Sequence, residues 1–487
     1  MVLSAVVYKP KIVAVNFLAC GLGLGPLAAL ATAVYLTGAL TAPVAIAQTV
    51  WELQPYRVEI WLGVDATLNQ RPKLHEELVR GIGEDLARYV GSIWEWDIRP
   101  VEPPLVRRFV VEGEWPKDLW PQHWVGLEHP DKAIVLAVTR SEDGFHRIFA
   151  RELDLRSQSW GPRVKTGAAT TEEILRAAFP LIWEAFCPVA RLSSLDLERR
   201  EGQLRIRAGG LFVRDPSLSL AHTGQIFRIY VRYNDRTGRA VRIVEVPFSY
   251  MYVNSLQETG LLAQLVSGLR SPLSARRRGR TEQLFVATKP YMSQTRLLLR
   301  DRRQPERPLV AYSVFAQDPS GGRLQYLGQT DAEGAIVIPW QSQSLKVLWV
   351  RNGQVPIARL PVALGAVPKV VAEIPSDDER LEAEGILLGV QQELLEVVTR
   401  RQLLIARIRR LLQLGQPERA RQVFEQLQSL RSRDDLRRYL LTQRKRLVAR
   451  EPATQKRIDQ MFTKTEELLN VYLDPAPINE LAAKLRK

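Results

Sequence analysis

The chain has 487 residues, 46% of them hydrophobic and 25% charged, with a formal net charge of +15 at pH 7. This length exceeds what one ordinary core supports, and the composition is that of a globular chain rather than a disordered one. Cysteine is present only as Cys20 and Cys187, which excludes a scaffold built on several disulfides.

The chain opens with a long uncharged segment, Ile12–Trp51, that follows the basic residues Lys9 and Lys11. It ends on Ala45-Ile46-Ala47, a small-residue exit with the A-x-A pattern of signal cleavage. The layout predicts an export signal over residues 1–47, cleaved at the site formed by Ala45 and Ala47 and leaving Gln48 as the new N-terminus.

Two alternatives to cleavage stay open. Gly21–Leu40 is already 20 residues long, which is enough to cross a bilayer, so Ile12–Leu40 could remain as a membrane attachment. Lipidation at Cys20 is the other alternative, although the residues before it form a poor lipobox. Each of the three predicts that the rest of the chain works outside the cytoplasm, in the periplasm or cell envelope.

Lys9 and Lys11 are the only charged residues before Ala47, so the chain after Ala47 carries a net charge of 15 − 2 = +13. Such a surface attracts polyanions. Export makes an acidic envelope polymer the expected partner and leaves nucleic acid out. The alternative is an arginine-rich surface that is simply solvated.

Residues 48–195 predict an α+β domain. Arg57–Leu62 alternates as a strand does, and Leu74, Leu78, Ile82 and Leu86 form one apolar stripe of a helix. An apolar strand over 132–139 is followed by a turn and by 145–155, which predicts a hairpin. A second helix starts at 170–173.

Residues 200–255 predict a small all-β domain, a barrel or a sandwich, because strand-like runs alternate with turn residues. Leu256–Leu269 is expected to form a short helix. It leads to a basic linker, with a domain boundary at residue 280. Its arginines are candidates for polyanion binding: Arg276, Arg277, Arg278 and Arg280.

Residues 281–375 again predict strands. Within them, Thr330-Asp331-Ala332-Glu333-Gly334 precedes the strand-like run Ala335–Ile338, and Asp331 and Gly334 suit a tight turn. This hairpin resembles that of carboxypeptidase-regulatory-like β-sandwich modules, over Leu309–Pro375 only. The resemblance implies an Ig-like β-sandwich that acts as a spacer or a binding domain and carries no catalytic group.

From Ser376 to Lys487 the pattern is helical. Ser376-Asp377-Asp378-Glu379 marks a helix start, and Pro417-Glu418 starts a further helix after Gly415. We expect a helical bundle or a long helical hairpin. The fold class as a whole is therefore multidomain α+β.

The sequence offers no recognisable catalytic motif, metal-ligand spacing or cofactor loop. Nine of the eleven tryptophans lie between Trp51 and Trp183. Indole rings fill cores and interfaces, but those in a proline-containing connection could be exposed to stack on a glycan or a partner. The candidates for this role are Trp115, Trp120 and Trp124.

These observations predict an exported, non-catalytic envelope protein that acts as a scaffold or in protein or glycan interaction, with an envelope protein or an acidic envelope polymer as its partner. The alternative is an exported hydrolase of glycan or peptide. It would use carboxylates of the 48–195 domain, where Glu95 and Asp97 form one pair and Glu112 and Glu114 another.

Overall fold

The computed structural model describes residues 51–65, 73–102, 105, 108–109, 130–141, 143–257, 260–273, 280–340 and 344–486. These residues form four parts that we call the head, the barrel, the sandwich and the tail. The predicted signal or anchor segment, residues 1–47, lies outside them. Among the described residues, no helix is both long enough and apolar enough to span a membrane.

The head comprises β1 (Tyr56–Val64), α1 (Lys73–Tyr89), β2 (Trp94–Val101), β3 (Lys132–Arg140), β4 (His146–Asp154), β5 (Ser159–Ala168) and α2 (Thr171–Ala185). Its sheet has the order β2-β1-β3-β4-β5. Strand β1 is parallel to both of its neighbours, whereas β3, β4 and β5 run antiparallel. The predicted strand, hairpin and helices of this domain are confirmed.

Both helices of the head pack on the same core. The predicted stripe of α1 is buried, and α2 buries Ile174, Ala178 and Ile182 in the same cluster. Thr170 caps α2, because its side chain accepts a hydrogen bond from the amide of Glu173. The inward side chains of β1 complete this layer.

The barrel comprises β6 (Val189–Asp196), β7 (Glu201–Ile206), β8 (Ile226–Asn234), β9 (Ala240–Gln257), β10 (Gly260–Ser267) and β11 (Thr281–Thr288). These strands close in the order β10-β7-β6-β11-β8-β9, with all neighbours antiparallel. Closure removes the exposed sheet edges that an open sheet of this size would have.

The expected helix over Leu256–Leu269 is not formed. This stretch is the end of β9 and the whole of β10, which pairs with β7 and β9. Leu261, Ala263 and Leu265 are buried while the residues between them are half-buried, which is the alternation of a strand. Pairing on both sides closes the barrel, and this tertiary gain outweighs local helix preference.

The sandwich comprises β12 (Gln294–Asp301), β13 (Gln304–Pro308), β14 (Ser313–Asp318), β15 (Gly321–Gln329), β16 (Ala335–Pro339), β17 (Leu345–Asn352), β18 (Val355–Ala363) and β19 (Lys369–Ile374). In one sheet, β12 pairs with β13, β16 and β19. The other sheet has the order β15-β14-β17-β18. Strand β19 is parallel to β12. The two sheets enclose a separate core.

The tail is helical, as predicted. It comprises α3 (Asp378–Gln413), α4 (Pro417–Gln428), α5 (Arg433–Arg446), α6 (Pro452–Tyr472) and α7 (Ala476–Arg486). With 36 residues, α3 is about 54 Å long at 1.5 Å per residue. Its apolar residues contribute to two clusters, one near each end of the helix.

Candidate functional site

Most of the residues predicted to form sites lie outside the described residues. These are Ala45, Ala47, Trp115, Trp120, Trp124, Arg276, Arg277 and Arg278. Arg280, directly before β11, is exposed, and its carbonyl oxygen accepts a hydrogen bond from the amide of Asn234 at 2.8 Å. Glycan binding by the tryptophans and polyanion binding by the linker stay predictions.

The described tryptophans of the head mostly serve the core. Trp51 and Trp94 are buried, and Trp183 stacks on Phe186 with 5.5 Å between ring centroids. Trp96 is the most exposed of the described tryptophans in the head, with 37% of its surface accessible. Packing in the core explains the presence of Trp51, Trp94 and Trp183 without any ligand.

The exposed carboxylates of β2 are neutralised by arginines. Glu95 lies 3.7 Å from Arg57, and Asp97 lies 3.0 Å from Arg99. Arg99 also contacts the buried carboxylate of Glu59 at 2.5 Å. Both carboxylates of β2 thus have an arginine partner within salt-bridge distance.

A second carboxylate pair lies inside the head. The ammonium group of Lys132 donates hydrogen bonds to Glu152 at 2.6 Å and to Asp154 at 2.9 Å, and all three side chains are buried. Burial raises the pKa of Glu152 to about 7, even though Lys132 opposes the shift. Burial alone would also raise the pKa of Asp154, but Lys132 and Ser157 hold it below its usual value.

Cys187 adjoins this triad and is closed to solvent. Its backbone amide donates to Glu152 at 2.7 Å, and its thiol is 1% exposed. Burial, and then the charge of Glu152, raise the pKa of this thiol to about 12. A thiol held neutral in this way is a small apolar group and a poor nucleophile.

A groove between the barrel and the sandwich, with a cavity volume of about 750 Å³, brings several charged side chains together. Its walls come from the bulge of β9, the segment directly after β10, the turn after β12, and strands β18 and β19. Leu269, Ile357, Leu360 and Ile374 provide an apolar lining. We call it the junction groove.

Three arginines from three different elements line the junction groove: Arg270, Arg302 and Arg359. Among the described residues, no carboxylate lies within salt-bridge distance of any of them, whereas Glu373 is the one acidic residue of the lining. Arg359 donates a hydrogen bond to the carbonyl oxygen of Ser267 at 2.6 Å and lies over the ring of Trp349. Its burial, and then nearby Arg200, lower the pKa of Arg359, as expected for a cation without a counter-ion.

The floor of the junction groove contains a strained residue. Phe248 has a φ of 51°, in the left-handed region that bulky side chains rarely adopt. It lies in a bulge of β9, where the pairing with β8 shifts between Arg228 and Tyr230. The bulge turns the ring of Phe248 away from the barrel and against the sandwich core.

Gly268 lets the two domains approach closely. A Cβ atom at this position would lie 2.4 Å from the carbonyl oxygen of Arg359 and 3.3 Å from Pro361. Its amide donates to the carbonyl oxygen of Phe248 at 3.0 Å. The contact fixes β18 beside the barrel, so one wall of the junction groove depends on a residue without a side chain.

No protein-family model and no curated protein matches this chain. The described part of the chain also holds no cluster of histidine, cysteine and carboxylate ligands suited to a metal ion. The lining of the junction groove is mainly cationic and apolar.

Sequence reasoning missed the junction groove. Arg270 and Arg359 are separated by 89 positions, and each is an ordinary arginine within its own segment. The only local signal was Gly268, two positions before Arg270 at the end of an apolar run. A single glycine in that setting does not tell which domain approaches it.

Proposed function

We propose that this protein is an exported, non-catalytic scaffold of the cell envelope, whose junction groove binds an acidic, extended segment of a partner protein. The observation that carries the proposal is the convergence of Arg270, Arg302 and Arg359 on one groove without paired carboxylates. Cations held apart from carboxylates on a partly apolar surface favour an anionic ligand, and guanidinium groups bind carboxylates in a bidentate manner.

The shape of the groove favours a chain in an extended conformation. Strand β18 lies at the edge of one sheet of the sandwich and β19 at the edge of the other, and among the described residues each pairs with one neighbour only. An extended peptide can add to such an edge through main-chain hydrogen bonds. Pro356 and Pro361 remove two donors from β18, so β19 is the better template.

The apolar lining adds a second requirement on the ligand. Leu269 and Val371 are exposed at the groove, and Ile357 is half-buried. A segment that alternates carboxylates with apolar side chains would contact both the arginines and this lining. A highly charged polysaccharide would use the arginines alone, which is why we favour a polypeptide.

The alternative of a hydrolase receives less support from the head. Of the carboxylates predicted for that role, Glu95 and Asp97 are ion-paired, and Glu112 and Glu114 lie outside the described residues. The buried triad around Lys132 is closed to a substrate. Export is supported by the A-x-A pattern at Ala45-Ile46-Ala47.

The first prediction concerns binding of a fluorescein-labelled oligoglutamate peptide to the purified full chain, measured by fluorescence anisotropy at low ionic strength. Replacing Arg270, Arg302 and Arg359 together by glutamine should weaken binding about tenfold to a hundredfold, because three charge-assisted contacts are lost.

The intact mass of the same protein reports whether the chain begins at Gln48 or at Met1.

The matched control replaces three exposed arginines outside the groove by glutamine: Arg236, Arg242 and Arg323. This control variant loses the same net charge as the groove variant. It should nevertheless retain most of the parent affinity, because its arginines lie outside the groove. An equal loss in both variants would mean that only net charge matters. Tighter binding of alginate than of oligoglutamate, with the same dependence on the groove arginines, would contradict a polypeptide ligand and indicate an acidic polymer.

A further inference from the structure

Helix α3 of the tail is apolar on two opposite faces. One face is buried in a cluster with residues of α5 and α6 and includes Ala383, Leu387, Val390, Leu394 and Val397. The other carries leucines with between 40% and 68% of their surface exposed: Leu381, Leu388, Leu395 and Leu403. We call this second set the leucine stripe.

The leucine stripe lies on the far side of α3 from the tail core. Each of Leu381, Leu388 and Leu395 precedes a buried residue of α3 by two positions. Two positions correspond to about 200° around a helix with 3.6 residues per turn. The stripe spans about 33 Å from Leu381 to Leu403 at 1.5 Å per residue. A row of exposed leucines of this length on one helix suits a contact with another chain or segment.

Two glycines lie along the same face. A Cβ atom at Gly385 or Gly389 would meet nothing within 4 Å among the described residues. Packing within the described part of the chain therefore does not require glycine there, although glycine is a poor helix former. What glycine allows at these positions is the close approach of a second backbone.

The charges of α3 identify the kind of helix that fits the leucine stripe. Residues 378–396 contain six acidic residues, of which Asp378, Glu382, Glu384 and Glu393 pair with arginines of the same chain. Residues 400–410 contain five arginines and no acidic residue. A second copy of α3 running antiparallel would place its basic half beside this acidic half. A parallel copy would place like charges together.

We propose that two copies of the chain associate through antiparallel α3 helices, about a two-fold axis at Gln392. In this register Leu381 faces Leu403 of the second copy, and Leu395 faces Gly389, where the missing side chain leaves room for it. Each contact occurs twice, as in every isologous two-fold interface. The proposal is independent of the junction groove.

The test is sedimentation velocity of the purified full chain over a range of concentrations. The parent should convert from monomer to dimer as the concentration rises, and the dimer should weaken at high salt. Leu388→Glu with Leu395→Glu should stay monomeric over the same range. The matched control, Leu197→Glu with Val241→Glu, alters two exposed apolar residues of the barrel and should dimerise as the parent does.

A second variant guards against an effect on folding. Alanine at Gly385 and Gly389 should raise the melting temperature of the tail, because alanine favours the helix, and yet weaken the dimer. If the alanine variant had both a higher melting temperature and a stronger dimer, the close approach of two α3 helices would be contradicted. Disruption of the dimer by the leucine variants with unchanged far-ultraviolet circular dichroism would support it.

Cysteine cross-linking in a Cys20→Ser background tests the register. Gln392→Cys should form a disulfide-linked dimer alone, whereas Leu381→Cys should do so only when mixed with Leu403→Cys. Self-linkage of Leu381→Cys would indicate a parallel pair and overturn the proposal. A parent chain that remains monomeric at every concentration would overturn it as well.

Discussion

Glu152 is a buried carboxylate that shares one ammonium group with a second carboxylate. Its oxygens lie 2.6 Å from Lys132 and 2.7 Å from the amide of Cys187, and Asp154 contacts the same ammonium group. One positive charge cannot neutralise two buried negative charges, so the triad binds a proton more readily than an exposed carboxylate does. Burial, with a smaller contribution from Asp154, raises the pKa of Glu152 to about 7 although Lys132 opposes the shift.

The stability of the head should therefore depend on pH through Glu152. Its pKa is raised in the folded chain, so the folded state keeps its proton at pH values where the unfolded state has lost it. Between about pH 5 and 7 the free energy of unfolding should fall as pH rises, by at most about 1.4 kcal/mol per pH unit for one proton. Glu152→Gln should remove this part of the slope.

The measurement is chemical denaturation of the parent and of Glu152→Gln at several pH values. The control is Glu95→Gln, in which an exposed carboxylate of the same sheet is changed and the slope should remain. Parallel curves for the parent and Glu152→Gln between pH 5 and 7 would show that Glu152 does not hold the proton.

At the scale of elements, the turn between β15 and β16 shows how a short motif specifies a hairpin. The carboxylate of Asp331 accepts from the amides of Glu333 at 2.9 Å and Ala335 at 2.8 Å, and the hydroxyl of Thr330 donates to the carbonyl oxygen of Leu309. Gly334 has a φ of 66°, and a Cβ atom there would lie 2.6 Å from the carbonyl oxygen of Leu299. Glycine is thus required twice over, for its conformation and for the space.

Gly334→Ala should destabilise the sandwich more than Gly238→Ala destabilises the barrel. Both glycines have positive φ, but a Cβ atom at Gly238 would meet nothing within 4 Å. We expect Gly238→Ala to lower the free energy of unfolding by about 1 kcal/mol, because of the backbone conformation alone. Gly334→Ala adds a backbone clash and should cost about 2–3 kcal/mol. Differential scanning calorimetry of both variants gives the comparison, and equal costs would contradict the role of the close contact.

Local pattern predicted many of the elements but not their assembly. The apolar stripe of α1 and the turn at Asp331 and Gly334 could be predicted from the sequence, because each depends on residues a few positions apart. The run Leu261–Leu265 was not, because a short apolar run suits a helix or a strand and the barrel decides between them. The junction groove depends on segments far apart in the chain, so no local pattern contains it.

At the scale of the whole molecule, the head and the barrel form one block. They share a hydrophobic core, and the side chain of Arg207 in the barrel is 2% exposed and donates to the carbonyl oxygen of Pro55 at 2.8 Å. The hydroxyl of Tyr56 accepts from the amide of Val189 at 2.9 Å. The sandwich has its own core and meets this block at Gly268 and Arg359, beside the junction groove.

In the function that we propose, the binding site is created by the docking of the barrel and the sandwich. A ligand in the junction groove would contact the barrel and the sandwich together, and so would stabilise their relative position. The tail begins directly after β19, a wall of the groove, and carries the leucine stripe on its first helix. Binding and self-association would then use different surfaces.

The central claim is that an acidic peptide binds in the junction groove, and photo-cross-linking tests it most directly. An oligoglutamate peptide with a diazirine group is irradiated with the full chain, and the attachment sites are mapped by mass spectrometry. Cross-links should concentrate in residues 247–270 and 357–375 and should disappear from the variant that lacks Arg270, Arg302 and Arg359. Cross-links concentrated in residues 274–280 or in the tail would contradict the account.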